Sequence, residues 1–232
     1  MHSIWSLLAP EHCVHCLEPL AMSHKLLCQC CFDQLDLLCS INRCPFCFCE
    51  LTHAGGCDRC KGNLRSFDYL ASAFEYMGPA KTLIHELKYR NHPTLAKTCA
   101  AFLLLQLHEL RWPTPDVITY IPQSFLRALD RGYNQSELMA LGLGIFLQRP
   151  VARLLKKVSP TLSQTSVTAE ERKKLSDEHF ALKKQNKVIL EDAVILLIDD
   201  VCTTGTTLER AASILRAYCP KRIYALTFCH TE

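Results

Sequence analysis

The chain lacks any apolar run of the roughly 18 residues that a membrane-spanning helix needs. Its longest candidates, Ala100–Leu107 and Ala193–Ile198, have the length of core elements. It also lacks a basic stretch followed by an apolar one near Met1, the pattern of a secretory leader. Both absences argue against membrane insertion and lead us to expect a soluble cytoplasmic protein. Excess charge of one sign is missing too: 26 Lys and Arg stand against 23 Asp and Glu, a formal net charge of +3. On composition alone, that balance argues against a surface built to grip nucleic acid. No long internal repeat is present, although the first region could hold two related paired-cysteine units.

Cysteine is what the chain has in abundance. Of fifteen, eleven fall within the first 60 residues. Without a leader a disulfide framework is disfavoured, because the cytosol keeps thiols reduced. Clustered cysteines in that setting more often bind metal. Four C-x2-C pairs stand out: Cys13/Cys16, Cys28/Cys31, Cys44/Cys47 and Cys57/Cys60. Each pair can form a knuckle, and two knuckles close a tetrahedral four-thiolate site that suits zinc. Eleven residues separate the first two pairs and nine the second two, so two sequential sites are natural. A crossed arrangement of the same ligands stays open. Reduced cysteines packed as small hydrophobes are the bland alternative, which four pairs at one spacing disfavour. Cys30, Cys39 and Cys49 are left over, and Cys30 is placed to substitute for a ligand beside it. A four-thiolate site has no open position, so the expected role is structural. A region this small needs such staples to fold. Residues 1–65 hold five Lys/Arg and six Asp/Glu. Two filled sites would add about −2 each and take the chain from +3 to about −1. That sum disfavours a phosphate-gripping finger and makes protein contact or capping of the neighbouring domain at least as good a reading.

The chain divides into two grammars. Residues 1–65 form the cysteine-rich module. Residues 66–232 alternate strand-like and helix-like segments. Strands are expected at Ser66–Met77, Val117–Ile121, Ala193–Ile198 and Arg222–Phe228. Helices are expected at Pro79–Tyr89, Thr94–Leu110, Gln135–Gln148 with Asn134 as cap, and Thr207–Tyr218 stopped by Pro220. Ala193–Ile198, apolar throughout, has the pattern of a central parallel strand. The expected class is α/β, a mostly parallel sheet flanked by helices. Between Val158 and Lys187 the pattern breaks. That polar stretch carries Arg172, Lys173, Lys174, Lys183, Lys184 and Lys187. It reads as a solvated loop with a short helix, or as a mobile basic lid over an anionic ligand.

The chemistry concentrates in Ile195–Leu208. An apolar strand ends in Asp199 and Asp200, then Thr203, Thr204, Gly205, Thr206 and Thr207 lead into a helix. A phosphate needs many donors and close backbone approach. Gly205 permits the approach, the threonines offer hydroxyls, and N–H groups at a helix start favour an anion. The carboxylates suit two vicinal ribose hydroxyls. The competing reading is an acidic turn before a Thr-rich cap, yet two carboxylates at the end of a core strand are costly without a partner. Ile121-Pro122 ends another strand at a position where backbone groups can meet pyrophosphate. Arg127 and Arg131 are either surface cations or groups that neutralise it. Lys88 reads equally as a helix lysine extending its charge to water, and Cys202 as an apolar filler.

The strand, acidic pair and TTGxT loop resemble the signature of type I phosphoribosyltransferases. The resemblance implies that Asp199 and Asp200 hold the ribose and Thr203–Thr207 the 5′-phosphate. Thr203 stands where purine-salvage members carry an acid, which disfavours that subclass. The ordered set of four C-x2-C pairs, Leu87-Lys88-Tyr89, Arg127-x3-Arg131-Gly132-Tyr133-Asn134-Gln135 and the acidic-threonine site is similar to the ComF/GntX family of competence-associated phosphoribosyltransferase-like proteins. That similarity implies a cytoplasmic role in natural transformation, handling incoming single-stranded DNA, in some members with a helicase partner. It implies phosphoribosyl pyrophosphate bound with Mg²⁺ at Pro122, Arg127, Asp199, Asp200, Thr203, Thr204, Gly205, Thr206 and Thr207. Asp199, Asp200, Arg131 and Lys157 are the expected catalytic residues, for an acceptor left open. Lys157, Gln164 and Arg172 match the family's lid positions, with Lys157 where Arg is usual and Leu175 where Asn is usual. A non-enzymatic alternative is a zinc-bearing adaptor or ligand sensor that binds single-stranded DNA or a helicase.

Overall fold

The computed structural model describes residues 12–20, 26–61, 65–90, 92–123, 132–158, 179–183 and 190–231. The cysteine segment contributes one short helix, α1 (Gln29–Phe32). There follow β1 (Tyr69–Glu75), α2 (Gly78–Tyr89), α3 (Leu95–Leu110), β2 (Val117–Tyr120), α4 (Gln135–Leu147), β3 (Leu155–Val158), β4 (His179–Leu182), β5 (Val194–Cys202), α5 (Thr206–Leu215), a 3₁₀ turn (Arg216–Tyr218) and β6 (Arg222–His230). Among the described residues, four strands form a parallel sheet in the order β1-β6-β5-β2. The expected central strand is therefore an inner one.

Sequence explains why these two strands lie inside. In β5 the residues Ile195, Leu196, Leu197 and Ile198 are all buried, and in β6 eight of nine positions are buried. Strands covered on both faces read as unbroken apolar runs. Helices supply the cover: α3 and α4 pack together and against the sheet, while α5 lies against β5 and β4. Helix α4 starts where Asn134 caps it, its side chain accepting from the Ser136 N–H. It ends at Gln148 in a left-handed conformation, and the chain turns back at once. Gly144 is what lets it do so, since a Cβ there would collide with Val151 and lie 3.0 Å from the Arg149 carbonyl oxygen. Gly144→Ala is expected to cost about 1–3 kcal/mol, read as a lower urea midpoint with unchanged slope. A midpoint equal to the parent's would mean that the turn yields freely.

Two sequence expectations need correction. The stretch read as loop and short helix contains β4, which pairs antiparallel with β3. Among the described side chains of the two strands, Leu155 in β3 and Phe180 in β4 are the buried ones, and each strand has four residues. An alternation that short cannot stand out from its lysines. The central strand also continues beyond Ile198, because β6 runs alongside it and pairs Asp199 with Thr227 and Cys202 with His230. Both carboxylates thus belong to the strand itself. The predicted helix after the threonines forms as α5, one residue earlier than expected, and its last turn tightens to 3₁₀.

The cysteine segment packs on this sheet. Phe48, Leu27, Cys13 and Cys31 belong to the same buried cluster as Phe67, Leu70 and Phe228. The Leu38 N–H donates to the Ala73 carbonyl, and the Leu70 N–H donates to the Pro45 carbonyl. Arg43, nearly buried, donates to Glu75 at 3.0 Å and lies over the Phe48 ring. Glu75 thereby gains a partner where β1 ends.

Candidate functional site

A cleft of about 310 Å³ opens beyond the carboxyl ends of β2 and β5, the place where open parallel sheets receive ligands. Asp199 and Asp200 form its floor, with Pro122, Gln135, Lys157 and Thr207 on its walls. Asp199 is held by its own surroundings: one carboxylate oxygen accepts from the Ser136 hydroxyl at 2.9 Å and from the Asp200 N–H at 2.9 Å. Burial, followed by the neighbouring Asp200 charge, pushes its pKa up to about 7, against the pull of those two hydrogen bonds and of Lys88. Asp200 has its own counter-ion, since the Lys88 ammonium lies 2.8 Å from its carboxylate. Both of these side chains are 16 % exposed. Lys88 is thus a site residue, a reading that spacing alone left level with a solvated lysine. The one cue in the sequence was a basic residue in the last turn of α2, and its reach to the end of β5 shows only in the ion pair.

The wall formed by Ile121 and Pro122 is fixed from the N-terminus of α4. Asn134 donates to the Ile121 carbonyl at 2.9 Å, Gln123 to the Tyr133 carbonyl at 2.7 Å, and the Tyr133 hydroxyl to the Leu87 carbonyl at 2.8 Å. Asn134 therefore does more than cap a helix: it ties that helix to the turn after β2. Arg127 and Arg131, and with them Gln164, Arg172 and Leu175, lie outside the described residues.

The threonine loop follows directly. Gly205 has φ +74° and precedes α5, so the turn requires a left-handed residue where glycine is cheapest. Thr203, Thr204 and Thr206 are exposed, and the Thr204 and Thr206 hydroxyls lie 2.8 Å apart. Gly205 has no side chain with which to cap the helix, and at the helix start the Thr206 N–H and hydroxyl both lie against the Thr204 hydroxyl. An anion at this turn would meet both kinds of donor. Cys202 is 3 % exposed and burial pushes its thiol up to about 12, as befits an apolar filler. One contact was not foreseen from sequence: Arg59 reaches the Thr203 carbonyl at 2.6 Å. No pattern around Arg59 marks it, because the partner is a backbone group 144 residues away.

The eight paired cysteines gather into two sequential clusters, Cys13/Cys16/Cys28/Cys31 and Cys44/Cys47/Cys57/Cys60, each with all sulfurs within 4.8 Å of one another. The crossed arrangement is not formed. Sulfurs around a tetrahedral zinc, at a bond length of about 2.3 Å, would lie roughly 3.8 Å apart. The distances of 3.6 Å for Cys16–Cys28, 3.4 Å for Cys44–Cys60 and 3.3 Å for Cys47–Cys57 fit that size. None of these cysteines is in a disulfide. Cys30 and Cys39 are exposed and outside both clusters, and Cys49 sits between Arg59 and His230.

A phosphoribosyl transferase domain is matched over residues 148–231. Competence protein F of Haemophilus influenzae is 30 % identical over 212 residues, covering 88 % of this chain and 90 % of that protein. The DNA utilization protein YhgH of Escherichia coli is 27 % identical over 231 residues, 97 % of this chain and 99 % of the relative. Among solved structures, an adenine phosphoribosyltransferase aligns over 62 % of this chain and 74 % of its own, with 17 % identity and a TM-score of 0.40. Among the described residues no helix is long and apolar enough to cross a membrane. With two four-cysteine clusters ahead of a parallel sheet that carries the acidic-threonine site, and with competence protein F of Haemophilus influenzae 30 % identical over 90 % of its length, the chain belongs to the ComF family of competence-associated, phosphoribosyltransferase-like proteins.

Proposed function

We propose that the cleft binds phosphoribosyl pyrophosphate with Mg²⁺, and that the protein acts on incoming single-stranded DNA during natural transformation. Residues 1–65 would be a zinc-bearing unit and residues 66–232 the phosphoribosyl unit. The observation that carries the reading is the convergence on one cleft of Asp199, Asp200 and Thr207, at the end of β5 and the start of α5. In this reading Asp199 and Asp200 accept from the ribose hydroxyls, and the turn Thr203–Thr207 donates to the 5′-phosphate. Lys157, on the cleft wall, meets charge on the departing pyrophosphate, with Arg127 and Arg131 in the same role. Mg²⁺ would supply charge neutralisation between the pyrophosphate and the ribose oxygens, held by oxygen ligands and water. Lys88 would leave Asp200 as ribose arrives and turn its ammonium to the pyrophosphate.

Zinc is the metal we assign to the two clusters, since soft thiolates in a closed tetrahedral set select it. A role as adaptor or ligand sensor for single-stranded DNA or a helicase remains as a second reading, supported by the packing of the cysteine segment on the sheet.

Calorimetry with phosphoribosyl pyrophosphate and Mg²⁺ tests the site. Wild type is expected to bind, and Asp200→Ala to bind at least about 100-fold more weakly, because it loses a charged acceptor for the ribose hydroxyls. No binding by folded, metal-loaded wild type would remove the phosphoribosyl reading and leave the adaptor.

A further inference from the structure

Arg59 lies inside the last knuckle, between Cys57 and Cys60, and its side chain leaves the cysteine cluster altogether. One guanidinium nitrogen donates to the Thr203 carbonyl at 2.6 Å. The other donates to the Cys49 sulfur at 2.9 Å and to the Thr231 carbonyl at 3.4 Å. The Thr231 N–H in turn donates to the Cys202 carbonyl at 2.9 Å. A single planar cation thus joins the second four-cysteine site, the end of β6 and the first residue of the threonine loop. Arginine alone offers donors in a rigid fork that can serve partners on two sides at once.

The contact has a geometric consequence. The peptide bonds here are trans. In a trans peptide the carbonyl and the following N–H point to opposite sides of the chain. Holding the Thr203 carbonyl against Arg59 therefore turns the Thr204 N–H away from the cysteine segment. Gly205, left-handed at the next residue, continues the same turn into α5. Successive N–H groups in such a turn make an anion-binding concavity. Within the loop the Thr204 and Thr206 hydroxyls pair at 2.8 Å and the Thr206 N–H lies 3.4 Å from the Thr204 hydroxyl; the Arg59 contact adds a tie from outside it.

We propose that Arg59 is a positioning residue for the phosphate loop, and that through it the second four-cysteine site sets the loop's affinity for a phosphate. The proposal rests on the reading of Thr203–Thr207 as the 5′-phosphate cradle. It gives that site a regulator built into the chain: metal in the Cys44/Cys47/Cys57/Cys60 cluster fixes the knuckle, the knuckle fixes Arg59, and Arg59 fixes the loop. Coupling of this kind is reciprocal, so a phosphate in the loop must also raise the cluster's affinity for metal.

The test compares the full metal-loaded chain with Arg59→Met and Arg59→Lys. Met keeps the length and loses every donor; Lys keeps the charge and loses the fork. The Thr204 amide order parameter, without any ligand, is expected to fall from about 0.85 to below about 0.6 in the Met variant, with metal content per chain unchanged. Affinity for phosphoribosyl pyrophosphate with Mg²⁺ is expected to fall about tenfold, and the Lys variant to recover part of both losses. A purely structural Arg59 would lower the melting temperature and leave affinity and Thr204 order in place, which would overturn the proposal. If Met folds poorly, the same comparison is made with Lys, and unchanged order and affinity there overturn it equally. Wild type that binds no phosphoribosyl pyrophosphate defeats the phosphoribosyl reading instead. Thr204 order then decides the clamp alone: a looser amide keeps it, an unchanged one overturns it.

Discussion

Stripping the zinc proposed for the cysteine clusters is expected to unfold the α/β sheet along with the cysteine segment. Zinc in a closed thiolate site contributes on the order of 10 kcal/mol to folding, and a domain's whole stability is about 5–15 kcal/mol. The loss cannot stay local, because Phe48, Leu27 and Cys13 lie in one buried cluster with Phe67, Leu70 and Phe228. Arg43 would leave Glu75 without its partner, and Leu38 would leave the Ala73 carbonyl. Circular dichroism during titration with a strong chelator should show helix and sheet lost together with about two zinc ions released per chain. A sheet that keeps its melting transition after both ions have gone would show that the segment is a separable appendage.

The second large effect concerns Asp199. Asp199→Asn should make the protein more stable at pH 8 while removing a ribose acceptor. The native carboxyl has its pKa raised from 3.8 to about 7 by burial and by Asp200. Below the unfolded value both states hold the proton, and the group contributes nothing. As pH rises toward 7 the unfolded chain releases its proton while the native protein keeps it, so native stability falls. Above about 7 the full penalty is present and constant. Asparagine does not titrate, and its carbonyl oxygen can still accept from the Ser136 hydroxyl and the Asp200 N–H. The gain over wild type should therefore be larger at pH 8 than at pH 5.5, by on the order of 1–2 kcal/mol. Denaturant unfolding at the two values measures it. An equal gain at both would mean that Asp199 is already ionised at pH 5.5, and a loss at pH 8 that Lys88 compensates both acids.

These two residues show what sequence reasoning can reach. The acidic pair was readable because charge at the end of an apolar strand is costly and so must serve something. The cysteine clusters were readable because one spacing recurs four times, and the order of the pairs then favoured the sequential grouping that forms. The elements of the sheet were readable from apolar runs buried on both faces. Lys88 was only half readable: its place on a helix was plain, but its partner is 112 residues away along the chain. Arg59 was not readable at all, since its ligand is a carbonyl that any residue would supply. The β3–β4 pair was hidden for another reason, having too few buried positions to set a period. Local chemistry leaves a mark on composition and spacing; contacts made by backbone atoms across the fold leave none.

The strand order also bears on how the chain is made. β6 comes after every other strand in sequence, yet it lies between β1 and β5. β1 has β6 as its strand partner among the described residues, and the two are separated by nearly 150 residues. At a synthesis rate of about 5–20 residues per second, β1 waits roughly 10–30 s on the ribosome for that partner. During the wait it is an apolar strand with unpaired edges, the kind of surface that recruits other chains. The cysteine segment has emerged before it and already holds the groups that bond Leu70 and Ala73. Metal supply during translation would then govern how much protein reaches the native state, as well as how stable that state is. In cells short of zinc the same segment would become a checkpoint on yield, and the newly made sheet would be lost to aggregation or proteolysis before β6 arrived.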